Sequence, residues 1–327
     1  MATYNKITPE IAEQLKAVVG DKRFSAGEEV DPNYSHDEMP IYGKFFPEVT
    51  VDVESTEEVS QIMKICNENH IPVTCRGAGT GLVGGCVPLA GGVVLCTRRM
   101  NKILHYDMDN LVVRIQPGVL LKDLAADALA HGLMYPPDPG EKTATVGGNI
   151  STNAGGMRAV KYGVTRDYVL ALTVVLADGR IIELGKTVCK TSSGYSLLHL
   201  MVGSEGTLGI ITEMTMKLIP NPVCDVSCLV PFANVEDCIK FVPHIIPRIA
   251  RSSAHGGRCA IRGYCKRPGC RCELGAREST GKPRGGALRH RGLPRARAYP
   301  NRCRRGFRRD GPLRLCAEFL EQGGTLR

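Results

Sequence analysis

The 327-residue sequence predicts an α+β fold: a small parallel sheet beside a larger mixed sheet, followed by a disordered basic tail. Three observations predict it. Residues 48–75 read as strand, helix, strand. Residues 92–219 read as short strands, one long helix and a hairpin. After Pro247 the periodic patterning stops.

Thr8-Pro9-Glu10 starts the first helix, with an N-cap followed by proline at the first helical position. Phe24–Pro47 reads as a loop region. Glu48–Val53 reads as a strand. Ser55-Thr56-Glu57-Glu58 is a capping box, and the helix behind it places Val59, Ile62, Met63 and Cys66 on one face. Ile71–Cys75 is the next strand, so the unit predicts two parallel strands joined by a right-handed crossover. Strands follow near Gly92–Cys96, Ile103–Asp107 and Leu111–Gln116. A helix over Leu120–His131 ends at Gly132 in a left-handed cap. Pro136–Gly163 is a long stretch rich in Gly, Asn and Thr. Tyr168–Leu176 and Ile181–Leu184 pair around Asp178-Gly179. Leu208–Ile219 is a strand stopped by Pro220. Val226–Pro231 and Val235–Ile246 read as a further strand and helix.

An apolar fraction of 43% supports a buried core over most of the chain. The net charge of +9 conceals a division. Residues 1–250 hold 22 Lys and Arg against 28 Asp and Glu, whereas residues 251–327 hold 20 against 5. The first part is ordinary; the second needs its own explanation. No apolar run follows a basic N-terminal stretch, which predicts no signal peptide. The apolar stretch Leu170–Ala177 is too short to span a bilayer. Scattered cysteines such as Cys66, Cys75, Cys86 and Cys96 fit reduced thiols in a cytoplasmic protein.

Three segments carry chemistry. The first is Arg76-Gly77-Ala78-Gly79-Thr80-Gly81-Leu82-Val83-Gly84-Gly85, directly after a strand. Five glycines in ten residues let a ligand approach the backbone, and successive N–H groups form an anion-binding concavity suited to a pyrophosphate. Arg76 and Thr80 offer side-chain donors. Leu82 stands where a dinucleotide fingerprint has its third glycine, so a Rossmann turn is disfavoured, and a plain Gly-rich hairpin turn is the alternative. The second segment, Pro136-Pro137-Asp138-Pro139 and then Thr143 through Gly156, combines small residues with Asn and Thr side chains. That combination suits a large polar aromatic cofactor. The third, Gly203-Ser204-Glu205-Gly206-Thr207-Leu208-Gly209-Ile210-Ile211, is a glycine loop entering a strand.

In this order and spacing the three segments resemble the FAD-linked oxidases of the vanillyl-alcohol oxidase and p-cresol methylhydroxylase type. Within that family the chain is similar to glycolate oxidase flavin subunits and D-lactate dehydrogenases. The stretch Tyr135–Val169, YPPDPGEKTATVGGNISTNAGGMRAVKYGVTRDYV, is very similar to the lactate dehydrogenases that work with an electron-transfer flavoprotein. The resemblance covers residues 5–250. It implies two α+β subdomains with FAD between them. It places Arg76, Gly77, Ala78, Gly79, Thr80, Gly81 and Leu82 around the pyrophosphate. Gly147, Gly148, Asn149, Thr152 and Asn153 line the flavin side, with Pro136 and Gly163 nearby. Ile210 or Ile211 meets the adenine end through backbone groups. Some relatives attach flavin to a His in the first loop. Thr80 stands at that position, which implies non-covalent FAD. The resemblance also implies a small 2-hydroxy acid substrate, D-lactate or glycolate, and an electron-transfer flavoprotein or iron–sulfur subunit as electron acceptor.

The resemblance divides the chain into an FAD-binding domain at 1–220, the start of a truncated substrate (cap) domain at 221–250, and the Arg/Gly/Cys-rich tail at 251–327. Family members continue into a cap that carries a His-x-Gly-Asp-Gly-Asn-x-His motif and a Glu-His pair, which hold substrate and, in several members, a metal. The tail has neither, and no metal site is expected. Its 18 Arg against 2 Lys is the usage of a GC-rich gene read out of frame. A nucleic-acid-binding arm is a rival reading of its charge, disfavoured by three unpatterned aromatics, Tyr264, Tyr299 and Phe307. A zinc site of His255, Cys259, Cys265, Cys270 and Cys272 is disfavoured by irregular spacing. No catalytic residue is assigned. His105, His131, His199 and His244 fall in strands or helices with ordinary roles. A flavin-binding fragment without turnover is therefore the second reading of the whole chain.

Overall fold

The computed structural model describes residues 4–39, 41, 43–188, 190–222, 224–232, 234–252 and 257–265. It forms two compact units, 1–221 and from Pro222 onward.

The first unit opens as its sequence dictates. Thr8 accepts from Ile11 N, Pro9 takes the first turn, and α1 (Pro9–Val19) buries Ile11, Leu15 and Val19. The expected loop Phe24–Pro47 contains a short strand, β1 (Phe24–Ala26), and 3-10 turns at Gly27–Glu29 and Pro32–Ser35. Then come β2 (Val49–Asp52), α2 (Thr56–Glu68), β3 (Val73–Arg76) and β4 (Val93–Cys96). The capping box is half formed. Ser55 Oγ accepts from Glu58 N at 3.1 Å, but the Glu58 carboxylate accepts from Glu54 N, one residue before the cap, and binds Arg23. β2 and β3 are parallel as expected but not adjacent, because β4 lies between them in the order β1-β2-β4-β3. All four residues of β4 are buried, which suits the centre of a sheet covered on both faces. β1 adds an antiparallel edge.

The second subdomain contains β5 (Ile103–Asp107), β6 (Val112–Ile115), α3 (Leu121–Ala130), β7 (Leu133–Met134), α4 (Val146–Ser151), α5 (Ala159–Tyr162), β8 (Val169–Val175), β9 (Ile181–Gly185), α6 (Leu197–Met201), β10 (Ile210–Lys217) and β11 (Ile219–Pro220). The larger sheet runs β5-β6-β10-β8-β9 and is antiparallel throughout, a correction to the mixed sheet expected. Hairpins join β5 to β6 and β8 to β9, and β10 returns between the two hairpins against both. The mixed character belongs to the small sheet. The β8–β9 turn is closed by Leu176 N donating to Arg180 O at 2.9 Å. β7 and β11 form a separate pair.

Two cores result. One packs α1, α2 and the small sheet, with Leu15, Val51, Ile62 and Leu95 at its centre. The other packs α3, α4 and α6 on one face of the larger sheet, around Ile115, Leu124, Ile150 and Met214. Ser60 on α2 donates to Gly179 O at 2.6 Å and ties the subdomains together.

The second unit holds β12 (Cys224–Phe232), α7 (Val235–Ser252) and β13 (Gly257–Cys265), with β12 and β13 parallel. Regular structure therefore continues past the expected tail boundary at residue 251. The physical reason lies in the sequence: Cys259, Ile261 and Cys265 alternate with Arg258 and Arg262, a period of two hidden by the arginine count. The rest of the expected disordered tail, residues 266–327, lies outside the described residues, as do the zinc candidates His255, Cys270 and Cys272.

Candidate functional site

β3 ends at Arg76 and leads directly into the first glycine loop. Ala78, Gly79, Thr80, Gly81, Leu82 and Val83 present backbone N–H groups with no protein acceptor among the described residues. Six successive free donors in a glycine-rich loop constitute an anion cradle. Gly79 turns the chain at φ +79°, a conformation glycine adopts without strain. The loop is held at its end by Asp37, a buried carboxylate that accepts from Gly84 N at 2.8 Å and Met39 N at 2.9 Å. Glu38 N donates to Gly81 O at 3.1 Å.

The Arg76 side chain is not among the donors facing the cradle. Its guanidinium is buried and donates to Asn33 O and His36 O, both at 2.8 Å, and lies 5.5 Å from the Tyr34 ring centroid. This corrects the expectation that it wraps the pyrophosphate directly. A fork of fixed N–H groups is satisfied by two carbonyls of the neighbouring turn before any ligand is considered.

Thr145 joins the first two segments. Its hydroxyl caps α4 by accepting from Gly148 N at 3.3 Å, and it lies so close to Gly77 that a Cβ there would collide with it. Gly147 packs on Pro117 with no room for a side chain, so that glycine serves packing. Asn149 is buried, and its side-chain Nδ2 has no protein partner. A buried unpaired amide donor on α4, the helix whose cap residue Thr145 abuts Gly77 of the first loop, is a group that a polar ligand would satisfy. Thr152 Oγ1 donates back to Gly148 O at 3.0 Å, and Asn153 Oδ1 accepts from Arg166 N at 3.0 Å, so each has one protein partner and keeps a lone pair. Gly163 ends α5, with its N–H donating to Ala159 O at 2.8 Å, and Pro136 is buried.

The third segment meets the C-terminal end of α4. Gly203 N donates to Ile150 O at 3.0 Å and Glu205 N to Ser151 O at 2.8 Å. Ile210 and Ile211 are buried and pair with Val175 and Val174 of β8, so only their backbone groups remain for a ligand. One short helix thus brings the three segments together, touching the first at its start and the third at its end.

A cleft of about 750 Å³ opens at the first loop, in the size range of cofactor sites. Ala78, Thr80 and Thr143 line it together with Arg98, Asn101 and Gly118, which sequence reasoning missed. Their signal is positional: they follow the ends of β4 and β6. A cavity of about 310 Å³ on the outer face of the larger sheet contains His105 and none of the predicted residues. His131 stacks on Tyr106 at 4.1 Å, and His199 pairs with Ser196 Oγ at 2.7 Å. Among the described residues no group of three or more His, Cys, Asp or Glu is arranged to hold a metal.

Residues 47–185 match the FAD binding domain family. This segment is an FAD-binding domain. It contains the cradle, α4 and the buried Asn149. D-lactate dehydrogenase of Anaerostipes hadrus is 61% identical over 250 residues, covering 75% of this chain and 52% of that protein. Glycolate oxidase subunit GlcD of Bacillus subtilis is 44% identical over 241 residues, covering 73% and 51%. The solved structure of p-cresol methylhydroxylase with substrate bound shares the fold with a TM-score of 0.65 at 24% identity, covering 75% of this chain and 49% of that one. The family resemblance read from the three motifs and the α+β fold of the FAD-binding domain both stand. The chain spans about half the length of the curated relatives it matches.

Proposed function

We propose that this chain is the flavin-binding part of an oxidoreductase that oxidises a small 2-hydroxy acid, D-lactate or glycolate, to the 2-oxo acid. The observation that carries the reading is the row of N–H groups at Ala78–Val83 without acceptors among the described residues, within a segment that matches FAD-binding domains and also holds the unpartnered Asn149 amide. The substrate class comes from the names of the relatives.

Bound FAD would supply the hydride acceptor. The residues of this chain bind and orient. The Ala78–Val83 amides take the diphosphate, Asn149 donates to the cofactor, and the backbone at Ile210 and Ile211 offers contacts at the adenine end. Thr80 has no nucleophilic imidazole to offer, which supports non-covalent attachment. An electron-transfer flavoprotein or iron–sulfur subunit is the proposed acceptor, and the cytoplasm the proposed site of action. Among the described residues no helix is long and apolar enough to cross a membrane.

The second reading is a flavin-binding fragment without turnover. It rests on the Arg-rich sequence after residue 250, which carries neither the His-x-Gly-Asp-Gly-Asn-x-His motif nor the Glu-His pair. The domain division at 220 and 250 belongs to this reading, with the Arg-rich segment taken as an out-of-frame addition. The visible absorption spectrum of the purified protein decides between them. A flavin spectrum that bleaches with D-lactate or glycolate supports the enzyme; one that persists supports the fragment; no flavin spectrum, even after addition of FAD, overturns both.

A further inference from the structure

We infer that Arg76 is the buried counter-charge of the bound diphosphate, acting through the loop and not by contact. This rests on the FAD reading of the cleft. The guanidinium is 8% exposed and its partners are neutral: Asn33 O and His36 O at 2.8 Å, Cys86 Sγ at 3.4 Å and the Tyr34 ring. No carboxylate pairs with it among the described residues. Asp37, the buried acid of this region, commits its oxygens to Gly84 N and Met39 N. Burial raises the Cys86 thiol, so no thiolate forms there to balance the charge. Asp37 keeps its charge but makes no direct ion pair with Arg76, and a buried guanidinium bonded only to neutral groups is costly, which a polyanionic ligand nearby would offset.

The geometry shows which ligand. Gly79 lies directly over the guanidinium: a Cβ built on it would collide with Arg76 Nη2. The free N–H groups of Ala78–Val83 belong to the same turn. Arg76 is therefore separated from the cradle by one layer of backbone. Its field adds to that of the amide dipoles, and the layer keeps water from screening it. Arg76 is a positioning residue in two senses: its two carbonyl bonds fix the loop on the 31–37 turn, and its charge biases the cradle toward a polyanion.

The test uses the full chain, with melting temperature read against inorganic pyrophosphate, ADP, FAD and riboflavin. Wild type is expected to gain stability with the first three. Arg76→Gln is expected to start lower and to bind pyrophosphate about tenfold more weakly or worse, while its response to phosphate-free riboflavin matches wild type. Arg76→Lys keeps the charge but not the fork. It is expected to start lower yet retain most of the pyrophosphate gain. A purely structural Arg76 would lower both baselines and leave the pyrophosphate gain of the Gln variant equal to wild type, which overturns the inference. If Arg76→Gln does not fold, Arg76→Lys decides: loss of its pyrophosphate gain sinks the proposal. A wild type indifferent to pyrophosphate, ADP and FAD overturns the FAD reading, and the inference with it.

Discussion

The first and third glycine loops have similar compositions and opposite hydrogen-bond accounts. In Gly77–Gly85 six consecutive N–H groups are left without acceptors among the described residues. In Gly203–Gly209 the N–H groups of Gly203, Ser204, Glu205 and Thr207 donate to Ile150, Met201, Ser151 and Ser204 respectively. The first loop is open to a ligand; the third caps α4 and holds it beside the first. Glycine content alone does not distinguish a binding loop from a supporting one. The destination of each N–H does.

Substitutions separate the two roles. The largest effect is expected at Gly209→Ala, where a Cβ would lie 2.7 Å from Val174 Cγ1 and 2.9 Å from Val175 O. Overpacking against backbone should cost about 2–3 kcal/mol, read as a lower denaturation midpoint without FAD. Gly81→Ala should do the reverse. Its Cβ would come no closer than 3.8 Å to Asp37 Oδ2, so the apo protein should melt within about 1 °C of wild type. Because the substitution falls within the row of N–H groups without acceptors, FAD affinity by flavin fluorescence should fall about tenfold. If Gly81→Ala loses stability and keeps affinity, the contrast between the loops is wrong.

Glu205 gives a smaller effect of opposite sign. It holds φ +53°, the left-handed region, to place its N–H on Ser151 O. Glu205→Gly should relieve about 1 kcal/mol of strain and raise the melting temperature by about 2–4 °C. A fall would mean that its carboxylate contributes more than its backbone strain removes.

The smallest effect is a control away from both loops. Burial raises the Glu58 carboxyl, but Arg23, donating to its two oxygens at 2.8 and 2.7 Å, outweighs this and holds it below its ordinary value of 4.5. A depressed folded-state pKa contributes stability that is present above the unfolded value and lost as pH falls through the folded one. Glu58→Gln should therefore cost about 1 kcal/mol or less near pH 7, and its difference from wild type should shrink below about pH 4. Equal cost at both pH values would show that packing, not charge, is what the pair supplies.

The strands and long helices were legible because their signals are local: the Thr8 cap, the stripe Val59, Ile62, Met63 and Cys66, and the turn at Asp178-Gly179. The three site segments were legible from their glycine and amide content. The clamp around the first loop was not. Arg76 is held by the carbonyls of Asn33 and His36, groups that every residue carries, so nothing in the 24–47 sequence announces them. α4 was missed because Val-Gly-Gly-Asn-Ile-Ser is a poor helix former. It is held by Thr145 at one end and the third loop at the other. The position of β4 between β2 and β3 depends on which strand is buried on both faces, and order along the chain does not encode that.

Ile210 and Ile211 are neighbours in β10, yet Ile210 packs in the core of the small sheet and Ile211 in that of the larger one. Their β8 partners divide the same way: Val175, paired with Ile210, joins the first core, and Val174, paired with Ile211, the second. Neither subdomain can come apart without pulling a shared pair of strands out of the other. Residues 1–221 should accordingly unfold in a single cooperative transition, so that loss of either half releases the cofactor.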